Sequence, residues 1–426
     1  MMENQREGGG YDEPLTKRRR RNPAGATVAD IPDDVAEQIL LRLPVKSILR
    51  LRSVCRSWRA MVADPRFVRL QLHHSTTARR RRRRPPSMIV MPCWSVTDQR
   101  MGAISFFHYQ GHGAAAELAH EEALPLGVAA DWNLPLHCNG LVMVSSEMYS
   151  SDQIIVCNPA TRELAELPVG TPDLFGIQKV GLGADPLTGE VKVVRCFIRH
   201  CDYTKTDYSV GCEVFPLGGG SGAWRPVADS PYLVMPSPSP CILGAIYWTA
   251  ALPSPPAGSG TASGILRFDV RAEEFSLFPI PPCMQAAPED VEGFGPALTE
   301  LAGKLCYVHK HVSDAGVAAA QLWTASAADD DGAARWSMHC TVELYHPALA
   351  VRPFAVDYQG GIFLNANFTC IFRYDTERQV LEREVGMNQE MTYFRASNRL
   401  HYRFYGGRWM HHVVPYRESL LTIRAK

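Results

Sequence analysis

Chemistry needs particular side chains at particular spacings, and several stretches of this sequence come near enough to be weighed. "GLGADPLTG" (Gly181 to Gly189) has the glycines of a dinucleotide-binding turn, but Asp185-Pro186 stands where a helix would have to begin, so it reads as a turn. "GGSGA" around Ser221 lacks the last glycine of a nucleophile elbow, Ala223 standing in its place. "LAGKL" sets Lys304 after Gly303 without the earlier glycine or the Ser/Thr of a phosphate loop. In "CFIRHC", Cys196 and His200 would share a strand face while Cys201 points to the other, and no CxxC pair accompanies them, which argues against zinc. His309/His311 and His411-His412 read as strand or surface histidines. The expectation is therefore a non-enzyme with no catalytic residue, no metal ligand and no cofactor.

The elements that surround these stretches say more. At 426 residues with 46% hydrophobic content the chain can form a real core. The start, "MMENQREGGGYDEPLTKRRRR", has no apolar stretch of the signal-peptide kind, and no later apolar run is long enough to span a bilayer. The 12 cysteines are scattered singly and read as reduced thiols. Nucleus and/or cytoplasm is the expected location, with no membrane partner. Zero net charge conceals an asymmetry: residues 1–84 carry 20 Lys/Arg against 9 Asp/Glu, so a basic head precedes an acidic body.

Four segments follow along the chain. Residues 1–28 are polar and charged and read as a disordered basic tail containing Lys17, Arg18, Arg19, Arg20 and Arg21. Residues 29–72 show helical periodicity: Pro32 with Asp33 and Asp34 suits a helix start, Val35, Ile39, Leu40 and Leu43 form a stripe, and Pro44 ends it. A second short helix carries Ile48, Leu49 and Leu51, and a third carries Val54, Cys55, Trp58, Met61 and Val62 before Asp64-Pro65. Residues 73–87 hold Arg79, Arg80, Arg81, Arg82, Arg83 and Arg84 followed by Pro85-Pro86, and read as an extended linker.

From residue 88 to 426 the pattern changes to short β-type runs with two recurring motifs. One is a turn leading into an apolar strand: "NGLVM" at Asn139, "GAIYW" at Gly244, "GKLCY" at Gly303 and "GGIFL" at Gly360. The other is a strand ending in Asn or Asp with an apolar residue six positions later, expected to be its hairpin partner: Asn158 with Leu164, Asp269 with Phe275, Asp375 with Leu381. The spacing predicts about six β units, near that of propeller blades, against the alternative of an irregular pair of β-sandwiches. A closing strand could come from "RLHYRFYGGRWMHHVV". The expected fold is thus α+β multidomain, a small three-helix unit followed by an all-β, propeller-like body.

A helical unit of some forty residues rarely stabilises itself, yet this one carries more apolar side chains than one internal face can hold. Some must face outward, and another protein is the expected cover; close docking of the body is not expected, because the Arg-rich linker stands between them.

Ile31 to Leu72 resembles the F-box, on the Ile31-Pro32 start, the "ILLRLPVKSILRLRSVCRSW" body and the closing "DPRFV". Ile31 replaces the commoner leucine, a volume-conserving change. Downstream, "HCNGLVMV", "VCNPATRELAELP", "GAIYWT", "ILRFDVRAEEFSLFPIP" and "LAGKLCYV" stand in the order of the F-box associated domain, type 3, of plant F-box proteins. The resemblance implies a substrate-recognition subunit of a Skp–cullin–F-box ubiquitin ligase. The Skp adaptor would be bound through Ile31, Pro32, Val35, Ile39, Leu40, Leu43, Pro44, Ile48, Leu51, Val54, Cys55 and Trp58, with the cullin–RING core reached through it and an unidentified protein substrate held by the β domain. The Arg runs admit nuclear import, nucleic-acid contact or compositional drift, and no aromatic interleaves them for base stacking. Two alternatives stand beside this: a nucleic-acid-associated propeller using those runs, and an adaptor-bound scaffold without ubiquitination. An acidic binding face on the body would steer a basic target.

Overall fold

The computed structural model describes residues 31–424 except 82–85, 95–102, 112, 124–131, 147–152, 178, 203–206, 220–221, 253–261, 286–296, 313–315, 327–333, 347–349 and 405–408. The tail with Lys17 to Arg21, the run Arg82 to Arg84, most of the loop Leu252 to Gly264 and the "DDDG" turn lie outside the described residues.

Pro32 precedes α1 (Asp33–Leu40), and Asp33 and Asp34 fill its first turn, where the helix dipole favours negative charge. α2 (Val45–Leu51) starts behind Pro44, which has no side chain to cap it. α3 (Arg56–Ala63) is capped by Cys55, whose sulfur accepts the Trp58 N–H at 3.4 Å. Asp64 ends α3, and Pro65 opens α4 (Pro65–Arg81), a good first helical position for proline. Here the linker expectation fails in part: the backbone of 73–81 is helical. Arginine is a strong helix former, and the Pro-Pro pair comes only after the run.

After Ser87 the chain builds six antiparallel sheets of four to six strands, the six-bladed propeller. Short inner strands stand side by side in a ring: Trp409–Pro415 in the first blade, then Leu136–Cys138, Lys179–Ala184, the pair Leu233–Val234 and Cys241–Ile242, Ala297–Leu301 and Val351–Val356. The first blade mixes both ends of the domain. Met88–Trp94 pairs antiparallel with Trp409–Pro415, from Met88 opposite Pro415 to Trp94 opposite Trp409. On the outer edge, Tyr393–Arg395 lies parallel to Ala116–Ala123 and pairs with Leu400–Tyr402. Pairing the last strand with the first leaves the ring no inner edge to expose.

Both recurring motifs are the corners of blades. After the inner strand comes a tight turn with two consecutive positive-φ residues: Asn139-Gly140 (49° and 87°), Leu243-Gly244 (50° and 84°) and Ala302-Gly303 (53° and 82°), the hairpin turn whose twist matches its strands. Gly140 is doubly constrained, since a Cβ there would sit 2.4 Å from the Arg417 carbonyl oxygen. At the outer corner, Asn158 Oδ1 accepts the N–H groups of Ala160 and Thr161 at 3.1 and 3.4 Å. Asp269 does the same for Arg271 and Ala272, and Asp375 for Glu377 and Arg378. Each turn then spends one left-handed residue, Arg162, Glu273 or Gln379. The register refines the expected pairing by one position: Leu164, Phe275 and Leu381 lie opposite Cys157, Phe268 and Tyr374, the residues before the Asn or Asp.

Between each pair of neighbouring blades lies one apolar cluster, such as Trp248, Phe268 and Phe275 between the third and fourth. The loop before the third blade is pinned by buried charges: Lys179 Nζ to Asp173 at 2.8 Å and Arg195 Nη1 to Glu213 at 2.8 Å. Asp173 is itself buried, which raises its carboxyl, but Lys179 and the Ile198 and Phe175 N–H groups outweigh burial and hold it below its ordinary value.

The helical head does not stand off from the ring, contrary to expectation. After Pro415 the chain runs out under the second and third blades and carries Leu420 into the head's core beside Leu40, Val45, Ile48 and Phe67. Glu418 Oε2 accepts the Val45 N–H at 2.9 Å, giving α2 the cap that Pro44 cannot supply. Asn158 Nδ2 clips this tail by donating to the Ser419 and Leu421 carbonyls at 3.1 and 2.8 Å. Arg69 reaches the Thr188 carbonyl at 3.3 Å. The same Asn158 thus makes its blade corner with Oδ1 and holds the tail with Nδ2.

Candidate functional site

On the head, the docked tail divides the apolar side chains in two. Leu40 and Ile48 are fully buried and form the core with Leu420, so they support a surface rather than line one; the sequence reading that put them on the adaptor face is corrected. Leu43, Leu51 and Trp58 are half-buried against that core. Ile31, Val35, Ile39 and Val54 are 50%, 44%, 43% and 61% exposed, and Pro32, Pro44 and Cys55 are exposed as well. Val35 and Ile39 are four residues apart and so share one side of α1, and Ile31 lies just before its first turn. Ser57 Oγ donates to Asp33 Oδ1 at 2.9 Å and brings the Val54-Cys55 corner alongside the start of that helix. The outcome is an uncovered apolar face on the head. The stripe in the sequence could not separate its two halves, because both satisfy the same periodicity.

In the ring, the inner strands surround a channel that holds a cavity of about 90 Å³. Its wall is mostly apolar, with Leu136, Leu298, Phe354 and Val413. Polar groups come from three sides. His137 is held below its ordinary pKa by burial, against the pull of Glu300. The thiol of Cys138 is pushed well up by its hydrogen bond with Cys241 and by burial, which leaves it protonated and inert. Arg352 is lowered to about 10 by burial alone and so stays charged at neutral pH. None of these was singled out from the sequence; His137 and Cys138 share one inner strand, Cys241 and Arg352 lie on two others, and only the ring brings the three strands together.

The discounted motifs are structural. Cys196 is buried with its sulfur 3.9 Å from that of Cys212, while His200 faces solvent 3.5 Å from Asp207. Asp185 turns its loop by accepting the Leu187 N–H at 2.9 Å and the Thr188 hydroxyl at 2.8 Å. His411 and His412, read as strand or surface histidines, lie on the closing strand and are both buried, with pKa values lowered by burial to about 3 and about 4.

A closed six-bladed ring carrying a small helical head with an uncovered apolar face defines a two-part architecture. Family comparison agrees part by part: residues 28–70 match the F-box domain and residues 100–404 match the F-box associated beta propeller domain. The chain belongs to the F-box associated beta propeller family. Among its relatives, an F-box/LRR-repeat protein of Arabidopsis thaliana is 25% identical over 371 residues, covering 81% of this chain and 76% of that one. An Arabidopsis thaliana F-box protein is 26% identical over 226 residues, 51% of this chain and 48% of its own length, so the match spans about half of that relative. The beta-propeller domain of the Trilobed protease from Pyrococcus furiosus overlays with a TM-score of 0.36 at 7% identity, covering 72% of this chain and 79% of that one, too loose to fix a shared arrangement.

Proposed function

We propose that this protein is a substrate-recognition subunit of a Skp–cullin–F-box ubiquitin ligase, of the plant type its Arabidopsis relatives represent. The observation that carries this reading is the uncovered face of α1 and the Val54-Cys55 corner. An apolar surface of that kind on a domain already docked elsewhere is costly in water unless a partner covers it. The Skp adaptor is that partner, and the cullin–RING core follows through it. The protein contributes no chemistry of its own; it contributes position, holding a target lysine where a charged conjugating enzyme can reach it. The propeller is the part that holds the target.

The test is co-purification of the full chain with a Skp adaptor. Replacing Val35 and Ile39 together by Asp should abolish it while the propeller's melting transition is unchanged, since both side chains lie outside the core. Undiminished pull-down by that variant would overturn the assignment of the face. Adaptor binding with no ubiquitinated target in cells under proteasome inhibition would favour the scaffold reading instead.

A further inference from the structure

The channel contains a set of polar groups whose bonding is incomplete. Arg352, on the inner strand of the sixth blade, stands directly across from Asn365 on the next strand, so their side chains share a face. Among the described residues Arg352 has no carboxylate partner; its guanidinium lies 5.9 Å from the centre of the Phe368 ring. Asn365 spends Nδ2 on the His411 carbonyl oxygen at 2.9 Å, which turns its Oδ1 the other way, buried and without a partner. His412, 5% exposed, lies 5.4 Å from Phe368. A half-buried cation without a counter-charge and a buried oxygen left unpaired are costly, and folded proteins retain such groups where something else completes them. Arg352, Asn365 and Phe368 all line the open channel.

The missing complement follows from the groups. A guanidinium fork takes two acceptor oxygens in one plane, which is a carboxylate. The Asn365 oxygen beside it takes a hydrogen-bond donor. The apolar wall takes hydrocarbon. Glu300, the acidic residue of the lining, is engaged by the Gly303 N–H at 2.6 Å, and its charge acts on His137. We propose that the propeller channel binds an organic carboxylate that carries an N–H or O–H donor next to the carboxyl group and an apolar body, with Arg352 on the carboxylate and Asn365 Oδ1 on the donor. Two sources present this chemistry: a free N-acylated or hydroxylated small acid, and the carboxyl terminus of a peptide chain.

The experiment uses the full chain and calorimetric titration with N-acetyl-L-leucine, N-acetyl-L-leucinamide, and an octapeptide ending in leucine with either a free or an amidated carboxyl terminus. The carboxylates should bind at least about tenfold tighter than their amides, as losing a charge-assisted hydrogen bond implies. Whichever carboxylate binds more tightly identifies the source, and either supports the site. Arg352→Met should erase the difference between acid and amide while the unliganded protein melts no lower than wild type, because a half-buried charge without a counter-charge has been removed; Arg352→Lys, which keeps the charge without the fork, should fall between. Equal binding of acid and amide, no binding of either, discrimination that survives Arg352→Met, or a melting temperature that drops in that variant would each overturn the proposal.

Discussion

The head and the ring solve the problem of burying apolar side chains by different routes. Each blade finds its partners on both sides, and the six clusters between blades form a closed circuit that leaves no blade with an unpacked face. The head has a core of seven buried residues, and one of the seven, Leu420, arrives from more than 350 residues further along the chain. Its helix α2 borrows even its cap from that distance. The ring is therefore self-sufficient, while the head is finished by the ring on one side and left unfinished on the other. The head can leave one apolar face open because the ring already holds the other.

Removing residues 409–426 breaks this comparison most severely. It takes out the inner strand of the first blade together with the tail under the head, so both parts should lose their cooperative melting and the protein should elute as an expanded or aggregated species. Deleting residues 1–81 instead should leave a ring that still melts cooperatively. Circular dichroism with size-exclusion chromatography separates these outcomes, and a ring that survives the first deletion would show that closure contributes little.

Leu420→Ala is a finer cut, because it leaves the ring intact and opens a cavity in the head's core. Losses of about 2–5 kcal/mol are usual for such truncations, which is large for so small a unit. Hydrogen exchange should rise across α1 to α3 and stay unchanged in the blades. A uniform rise over the whole chain would mean that head and ring fold as one unit.

The most gradual effect expected is that of mild acid on the closing strand. His411 and His412 are buried and neutral, with pKa values lowered by burial to about 3 and about 4, whereas both titrate near 6.5 in an unfolded chain. Above pH 6.5 neither form binds protons and the shift has no effect. As pH falls below 6.5 the unfolded chain is protonated first, so stability is lost, at about 2 kcal/mol for each imidazole by pH 5. Replacing both by Phe or Gln should flatten the dependence of melting temperature on pH between 6.5 and 4. An unchanged slope would place the acid sensitivity elsewhere.

Much of the ring was legible in the sequence, and the reason is local. A tight turn such as Asn139-Gly140 and a side-chain turn such as that at Asp269 are fixed by residues within three or four positions of each other, so the sequence displays them directly. The length of α4 was missed because like charges were given more weight than the helix propensity of arginine. The docking of the head was missed for a different reason. Glu418 and Leu420 carry no mark in the sequence, since their roles come from contacts that span nearly the whole chain. The division of the α1 stripe into buried Leu40 and exposed Ile39 depends on what lies against the helix, and periodicity reports only that an apolar side exists. The Arg352, Asn365 and His412 group is spread over three strands and two blades, where no spacing rule reaches.

The double use of the tail bears on how the molecule is made. A ribosome releases the head well before residues 409–423, so until that stretch emerges the head lacks both the Leu420 side chain and the Glu418 cap, and the first blade lacks its inner strand. One late event, the arrival of Trp409–Pro415 beside Met88–Trp94 and of the residues just after it beneath α2, finishes both parts at once. Contacts between such distant residues form slowly, and until they form the nascent chain exposes apolar surface to chaperones. A chain interrupted before residue 409 would hold neither a closed ring nor a seated head, so ring closure and seating of the head depend on one and the same stretch.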